Sequence, residues 1–242
     1  MASISTRSFR LKRNLTFIGS PGSGKGFYGE PLARAWKVPL LSVSSILREV
    51  ATAVDSDSGK LVDCQTVSDT LLGYLSHRFA DDKPTHFILD GFPRTEKQIH
   101  LMHEWPSHLR VHAAFHLNVP DFVCEQKMLG RRHCVLCNKG YNVAAVHEGG
   151  FDLPPQLPRP ACNRHDCNPE VHWTRRPDDT PKIVQERLRV HHQNEYPILD
   201  HFQRQGRLIA LTPLKGEKDL PEMQTSLEEW LTDLEQQGAD CL

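Results

Sequence analysis

Gly19-Ser20-Pro21-Gly22-Ser23-Gly24-Lys25, followed by Gly26, is the stretch on which the reading of this chain turns. It follows the apolar run 14–18, Asn-Leu-Thr-Phe-Ile, which has the character of a buried strand, and it precedes a stretch with helical character from Gly26. A glycine-rich loop between a strand and a helix aims backbone N–H groups at phosphate oxygens on a helix N-terminus, and Lys25 adds a point charge. Lys25 is followed by Gly26 rather than the usual Ser or Thr. The strand–loop–helix context predicts a nucleotide-binding chain.

Working outward, 242 residues fit one large domain, or one domain with smaller insertions. Thirty-eight per cent hydrophobic residues suffice for a core. With 29 basic against 30 acidic residues, net charge −1, nothing global points to nucleic acid or a membrane. No apolar run is long enough to span a bilayer. The stretch from Met1 to Gly29 carries no acidic residue, and Arg7, Arg10, Lys12 and Arg13 crowd its first half. A solvated basic arm and an import leader both fit it, so cytoplasmic and organellar (mitochondrial) locations stay open.

Strand-like and helix-like stretches alternate, as in an α/β fold. Strands are expected at 86–89, 111–119 and 208–211, and helices near 26–36, 68–79, 96–105 and 122–132. Thr180-Pro181 reads as a helix start, an N-cap followed by proline. Leu227, Trp230, Leu231 and Leu234 form an apolar stripe at helical spacing. Alternation in 111–119 places His112 and His116 on a strand surface. Two stretches interrupt the pattern: roughly 42–78, and the Cys-, Pro-, Gly- and His-rich 133–173, which reads as a small lid without long helices.

The second strong signal is Asp90-Gly91-Phe92-Pro93-Arg94-Thr95, directly after the strand at 86–89. An aspartate at the carboxyl end of a core strand suits the ordering of magnesium-bound water, and an arginine shortly after it can fork onto a second phosphate. With this block, Gln98, Gly130-Arg131-Arg132, Arg176, Asp178-Asp179 and Arg187-Leu188, the chain resembles the adenylate kinases, in their order and near their spacing over almost its whole length.

The resemblance implies a P-loop fold of three layers around a parallel sheet. Its core would span 14–41, 79–130 and 177–237, with a nucleoside-monophosphate insert at 42–78 and a lid at 131–176. It implies ATP + AMP ⇌ 2 ADP with magnesium and a lid of the long type; a monomer suffices for this architecture, though the sequence does not give the oligomeric state. The cradle Gly19, Pro21, Gly22, Ser23, Gly24, Lys25 and Gly26 would hold ATP, with Lys127 and Arg131. Arg48, Gly91, Arg94 and Gln98 would hold AMP, with Arg176 and Arg187 reaching its side of the transferred group. Lys25, Arg131, Arg176, Arg187 and Asp90 would be catalytic, Asp90 ordering magnesium through water. Asp178 and Asp179 would position arginines as the lid closes.

Three departures from the family pattern stand out. Phe27 replaces a usual threonine, Val43-Ser44-Ser45 replaces Thr-Gly-Asp after Ser42, and Lys127 stands where an arginine commonly stacks on the ATP adenine. Each lost hydrogen bond in a charged site costs roughly 1.5–3 kcal/mol, which slows turnover without abolishing it. A nucleotide-binding relative with weak or lost activity, and a GTP:AMP phosphotransferase, are the alternatives. A zinc-ribbon nucleic-acid binder is disfavoured by the near-neutral charge.

The lid also carries metal-ligand spacing. Cys134-Val-Leu-Cys137 is a zinc knuckle, and Cys162 with Cys167, or with His165 in its place, supplies a return pair. A lid with little core gains folding energy from such a staple. Unligated thiols in a hydrogen-bonded lid are the plainer alternative.

Overall fold

The computed structural model describes residues 9–50, 63–79, 86–137, 139–157 and 168–239. Five strands form one parallel sheet in the order β2-β3-β1-β4-β8: β1 Leu15–Ile18, β2 Leu40–Ser42, β3 Ile88–Asp90, β4 Ala113–Leu117 and β8 Leu208–Leu211. Every residue of β1 and of β4 is buried, which is why both read as nearly unbroken apolar runs. Alternation divides their side chains between the two faces. Leu15, Phe17 and Phe115 join one apolar cluster with Leu32 and Leu227, while Ile18, Leu89 and Ala114 join another with Leu71 and Phe202.

Helices α1 (Lys25–Trp36) and α8 (Leu220–Ala239) supply Leu32 and Leu227 to the first cluster; α3 (Cys64–Arg78) and α7 (Pro181–Arg204) supply Leu71 and Phe202 to the second. Between β2 and β3 the chain forms α2 (Val43–Val50) and α3, and α4 (Glu96–His103) follows β3. The start of α7 is as expected: Thr180 is the N-cap, its hydroxyl accepting from the Ile183 N–H at 3.4 Å, with Pro181 in the first turn. The stripe at 227–234 is also core packing, with Leu227 and Leu231 buried and Trp230 and Leu234 half-covered.

Two expectations are corrected. The helix expected near 122–132 is α5, Asp121–Leu129; it stops at Gly130, and strand β5 (Arg131–Cys134) begins at once. A side chain at Gly130 would strike Asn142 and Ala144, so only glycine lets the chain pass this close to the small sheet. His116 is not on a strand surface. It is 9 % exposed, because β4 lies between β1 and β8 and α7 covers that face. His112 is likewise half-buried, its backbone N–H paired with the Asn14 carbonyl.

A second, three-stranded antiparallel sheet, β6-β5-β7, rises from α5 and returns to α7. Its strands are β5, β6 (Gly140–Asn142) and β7 (Trp173–Thr174), with the single-turn α6 (Pro169–His172) before β7. Among the described residues of 133–173 the only helix is this single turn. Tyr141 stacks on Trp173 at 4.9 Å between ring centroids. Among the described residues no helix is long and apolar enough to cross a membrane.

Candidate active site

The carboxyl ends of β1, β3 and β4 open into a cleft of about 1310 Å³, walled by the loop after β1, by α2, by the block after β3, by the small sheet and by α7. Ligands of open parallel sheets bind at this end, where connections diverge to either side.

The loop at 19–24 is packed too tightly for side chains at its key turns. Gly22 has φ 94°, and a Cβ there would run into the Cys124 carbonyl of α5; at Gly19, φ 144°, it would lie 2.7 Å from the Leu117 carbonyl. The Ser23 N–H donates to the Ser20 carbonyl at 3.0 Å, while the Ser23 hydroxyl is buried without a partner. An orphaned hydroxyl in a cradle of N–H groups fits a phosphate oxygen. Lys25 opens α1, its Nζ donating to the carbonyls of Gly19 (2.6 Å) and Ser20 (3.0 Å). Burial first, and then Arg94 and Arg131, push its pKa down to about 8 against the opposing pull of Asp90.

Asp90 ends β3, in register with Phe17 and Ser42. Its Oδ2 lies 3.9 Å from where a Cβ on Gly26 would stand, so the carboxylate faces the first turn of α1. Directly after the cis Phe92-Pro93 bond, the Arg94 guanidinium folds over Gly91, where a Cβ would be 2.6 Å from Nη2. It opens on the cleft, yet the protein packed around it lowers its pKa, first by desolvation, and Arg187 adds to that while Asp90 resists. The Arg94 N–H donates to Gln98 Oε1 at 2.7 Å, and Thr95 caps α4 by accepting the Gln98 N–H at 3.2 Å. This fixes the buried Gln98 carboxamide by its oxygen.

Three further arginines face these groups. Arg131, at the start of β5, reaches Asp179 Oδ1 at 3.5 Å, and Arg187 of α7 meets Asp178 Oδ2 at 2.6 Å. Burial raises the Asp179 pKa against the pull of Arg131, and its Oδ2 is buried without a partner. Arg176 lines the same cleft, and its charge acts on both Arg131 and Asp179. Arg48, on the exposed face of α2, touches the cleft from the other side, with Nη2 3.4 Å from Ser45 Oγ. Arg132 instead caps the Leu129 and Arg131 carbonyls.

Lys127 lines the cleft, but its charged end points into the base of the small sheet. Nζ donates to the carbonyls of Ala144 (2.9 Å), Pro154 (3.3 Å) and Leu153 (3.4 Å), and the residue is 8 % exposed. The ammonium expected against the ATP base is committed to the backbone. Asn142, which carried no signal in the sequence, completes this anchor by donating to the Lys127 carbonyl at 2.7 Å. His191 was also missed. It lines the cleft, and its only cue was its place one turn beyond Arg187.

Of the expected zinc ligands, Cys134 is buried at the end of β5, and the Cys137 Sγ lies 3.4 Å from the Tyr141 hydroxyl. Cys162, His165 and Cys167 lie outside the described residues. Among the described residues no group of three or more His, Cys, Asp or Glu side chains is placed to hold a metal ion.

A glycine-rich phosphate loop, an acidic strand end and a ring of guanidiniums on a parallel sheet define a P-loop phosphotransferase. The profile of the adenylate kinase family matches residues 17–207. The chain is 32% identical over 207 residues to a protein named probable adenylate kinase 6, chloroplastic, of Oryza sativa subsp. japonica, covering 80% of this chain and 69% of that one. It is 30% identical over 231 residues to an adenylate kinase of Gloeobacter violaceus, with 90% and 98% covered. It is also 30% identical over 223 residues to a GTP:AMP phosphotransferase of Plasmodium falciparum, with 88% and 95% covered. The chain belongs to the adenylate kinase family, and it is a nucleoside monophosphate kinase acting on nucleotide substrates.

Proposed function

We propose that the chain catalyses ATP + AMP ⇌ 2 ADP with magnesium. The observation that carries this is the convergence of Lys25, Arg94, Arg131, Arg176 and Arg187, together with Asp90, on one cleft that also holds an orphaned Ser23 hydroxyl. Loop 19–26 holds the ATP phosphates, with Lys25 on the terminal ones. Arg94 and Arg48 hold the AMP phosphate, and Gln98 offers its NH₂ to the base. Arg131, Arg176 and Arg187 surround the transferred group, whose charge spreads over its equatorial oxygens. The AMP phosphate is already an anionic nucleophile, so the protein's task is to align two charged groups and neutralise their repulsion.

Residues 42–78 serve as the monophosphate-binding insert and 131–176 as the lid. Closing the lid brings Arg131 and Arg176 down and excludes water from the transfer. The Asp90 carboxylate, a hard oxygen donor beside Lys25 and Arg94, fits water bound to magnesium, which when bound would neutralise charge on the phosphates. Gly26 and Phe27 offer no hydroxyl to that ion. Cys134 and Cys137, with Cys162 and either Cys167 or His165, are the residues that would hold a structural zinc in the lid.

Donor choice has a second reading. Lys127 commits its ammonium to carbonyls rather than to a base, and the Plasmodium falciparum relative is named for GTP. ADP formation is therefore measured from ATP and AMP, beside GTP as donor and CMP or UMP as acceptors. Transfer confined to AMP supports the proposal, and faster transfer from GTP moves the donor assignment. Folded protein that transfers to no acceptor refutes it in favour of a binding role.

A further inference from the structure

Residues 143–155 fall inside the span expected to form the lid, yet they are packed as part of the core. Val146, Phe151 and Leu153 are buried in the same apolar cluster as Leu15 of β1 and Leu227 of α8. The segment folds back on itself, the Val146 and Leu153 N–H groups donating to each other's carbonyls at 3.0 and 2.9 Å. Backbone bonds also tie it to the body. The Val143 N–H donates to the Gly130 carbonyl at the end of α5 (2.9 Å), and the Asp152 N–H to the Leu214 carbonyl after β8 (2.7 Å). A Cβ added at Gly216 would meet the side chains of Pro154 and Leu153 at 3.7 and 3.9 Å, so this strap abuts the turn that follows β8.

Lys127 fastens the strap from α5. An ammonium has three N–H donors and no acceptor, and here each donor has a strap carbonyl in reach: Ala144, Leu153 and Pro154. None is left for a base. Burial lowers the Lys127 pKa, and a buried ammonium persists only where hydrogen bonds offset its desolvation. Asn142 locks the same joint, donating to the Lys127 carbonyl at 2.7 Å and accepting the Ala144 N–H at 3.0 Å. Both ends of its carboxamide are thereby committed. On the cleft side, Leu153 and Pro154 form a lining with Val119, Val123, Pro213 and Gly216. This end lies on the α5 side of the phosphate loop, where Gly22 packs against Cys124.

We propose that Lys127 is a positioning residue for the donor nucleotide: its ammonium ties the strap 143–155 to α5, and so holds Leu153 and Pro154 as a wall for the donor base without touching that base. The inference rests on the kinase reading and deepens it. A triphosphate seated in loop 19–26 sends its nucleoside along α5 into this apolar end, where a planar ring is held by burial. The strap is thus a fixed part of the span 131–176, in place before any nucleotide arrives.

The test uses the full chain with Lys127→Met, and with Asn142→Ala, which loosens the same joint but keeps the ammonium. Calorimetry compares ATP with inorganic tripolyphosphate, which has the phosphates and no base. ATP affinity should fall about tenfold in both variants, while tripolyphosphate affinity and the KM for AMP stay within about twofold of wild type. Hydrogen exchange across 143–155 should be slow in the nucleotide-free wild type and roughly tenfold faster or more in both variants. Equal losses for ATP and tripolyphosphate put the lysine on the phosphates and overturn the proposal. A loss in Lys127→Met alone makes the lysine a direct base contact and overturns it too. Unchanged ATP affinity, or unchanged exchange of the strap, does the same. If Lys127→Met fails to fold, Asn142→Ala carries the comparison by itself. Absence of transfer in the wild type counts against the kinase reading instead; binding and exchange need no turnover and still decide the role of the strap.

Discussion

Lys25 offers the sharpest quantitative test of the site. Its pKa is lowered from 10.5 to about 8, burial being the largest cause. At about 1.4 kcal/mol per pH unit, the folded protein disfavours this charge by about 3 kcal/mol relative to a solvated lysine. The sign for stability follows: between about 8 and 10.5 the unfolded chain binds the proton and the folded one does not, so stability rises with pH across that window, and this gain is missing below it. Polyphosphate works the other way. Its oxygens supply the negative charge that burial withholds and draw the proton back onto Nζ. At pH 8 binding should therefore take up about half a proton, approaching one proton a pH unit higher. Titration calorimetry with ATP in two buffers of different ionisation enthalpy measures this directly. Lys25→Met should bind without uptake and give no transfer. Uptake near zero in the wild type at pH 8, or equal uptake in Lys25→Met, refutes the reasoning.

Arg94→Ala should lower kcat/KM by about 10²–10³ through loss of a forked cation on phosphate, with the denaturation midpoint nearly unchanged; wild-type rates would remove Arg94 from the site. Gly22→Ala places a methyl group against the Cys124 carbonyl at a positive φ. It should cost about 1–3 kcal/mol in chemical denaturation and abolish ATP binding, whereas unchanged binding would mean that the loop tolerates being re-formed. If the lid cysteines hold zinc, elemental analysis finds about one zinc per chain, and a chelator or Cys134→Ser lowers the melting temperature. Metal-free protein of unchanged stability would leave the thiols to hydrogen bonding.

What was legible from sequence is what is encoded locally. The loop after β1 carries its glycines where backbone must meet backbone, and Thr180-Pro181 caps α7 with its own hydroxyl. Asp90 shows itself by ending an apolar run. What was illegible depends on distant partners. β2 is three residues long and exists because β3 pairs with it, a contact no local pattern announces. The burial of His116 is set by α7 and β8, some eighty and ninety residues further on, so alternation within β4 alone pointed the wrong way. Lys127 was read by its position in the family pattern, but its ammonium follows the carbonyls of Ala144, Leu153 and Pro154, which only the folded small sheet brings together. Gln98 falls between these cases: its place after Arg94 was visible, the pinning of its carboxamide by the Arg94 N–H was not.

The site's cations share a feature with mechanistic weight. Lys25 sits on loop carbonyls, Arg187 on Asp178, and Arg131 against Asp179. A phosphate that engages these groups has to replace partners already in place, so each contact is an exchange and its net gain is small. If the proposed site roles hold, a triphosphate alone would displace the carbonyls at Lys25 and leave the arginines of β5 and α7 with their carboxylates, and only two bound nucleotides would bring enough negative charge to draw Arg131 and Arg187 away from Asp179 and Asp178. Binding energy from two substrates is then used to assemble the ring of guanidiniums around the transferred group. On this argument, water beside a lone ATP meets an incomplete site. Asp178→Asn, which weakens the hold on Arg187, should therefore raise ATP hydrolysis in the absence of AMP more than it raises transfer.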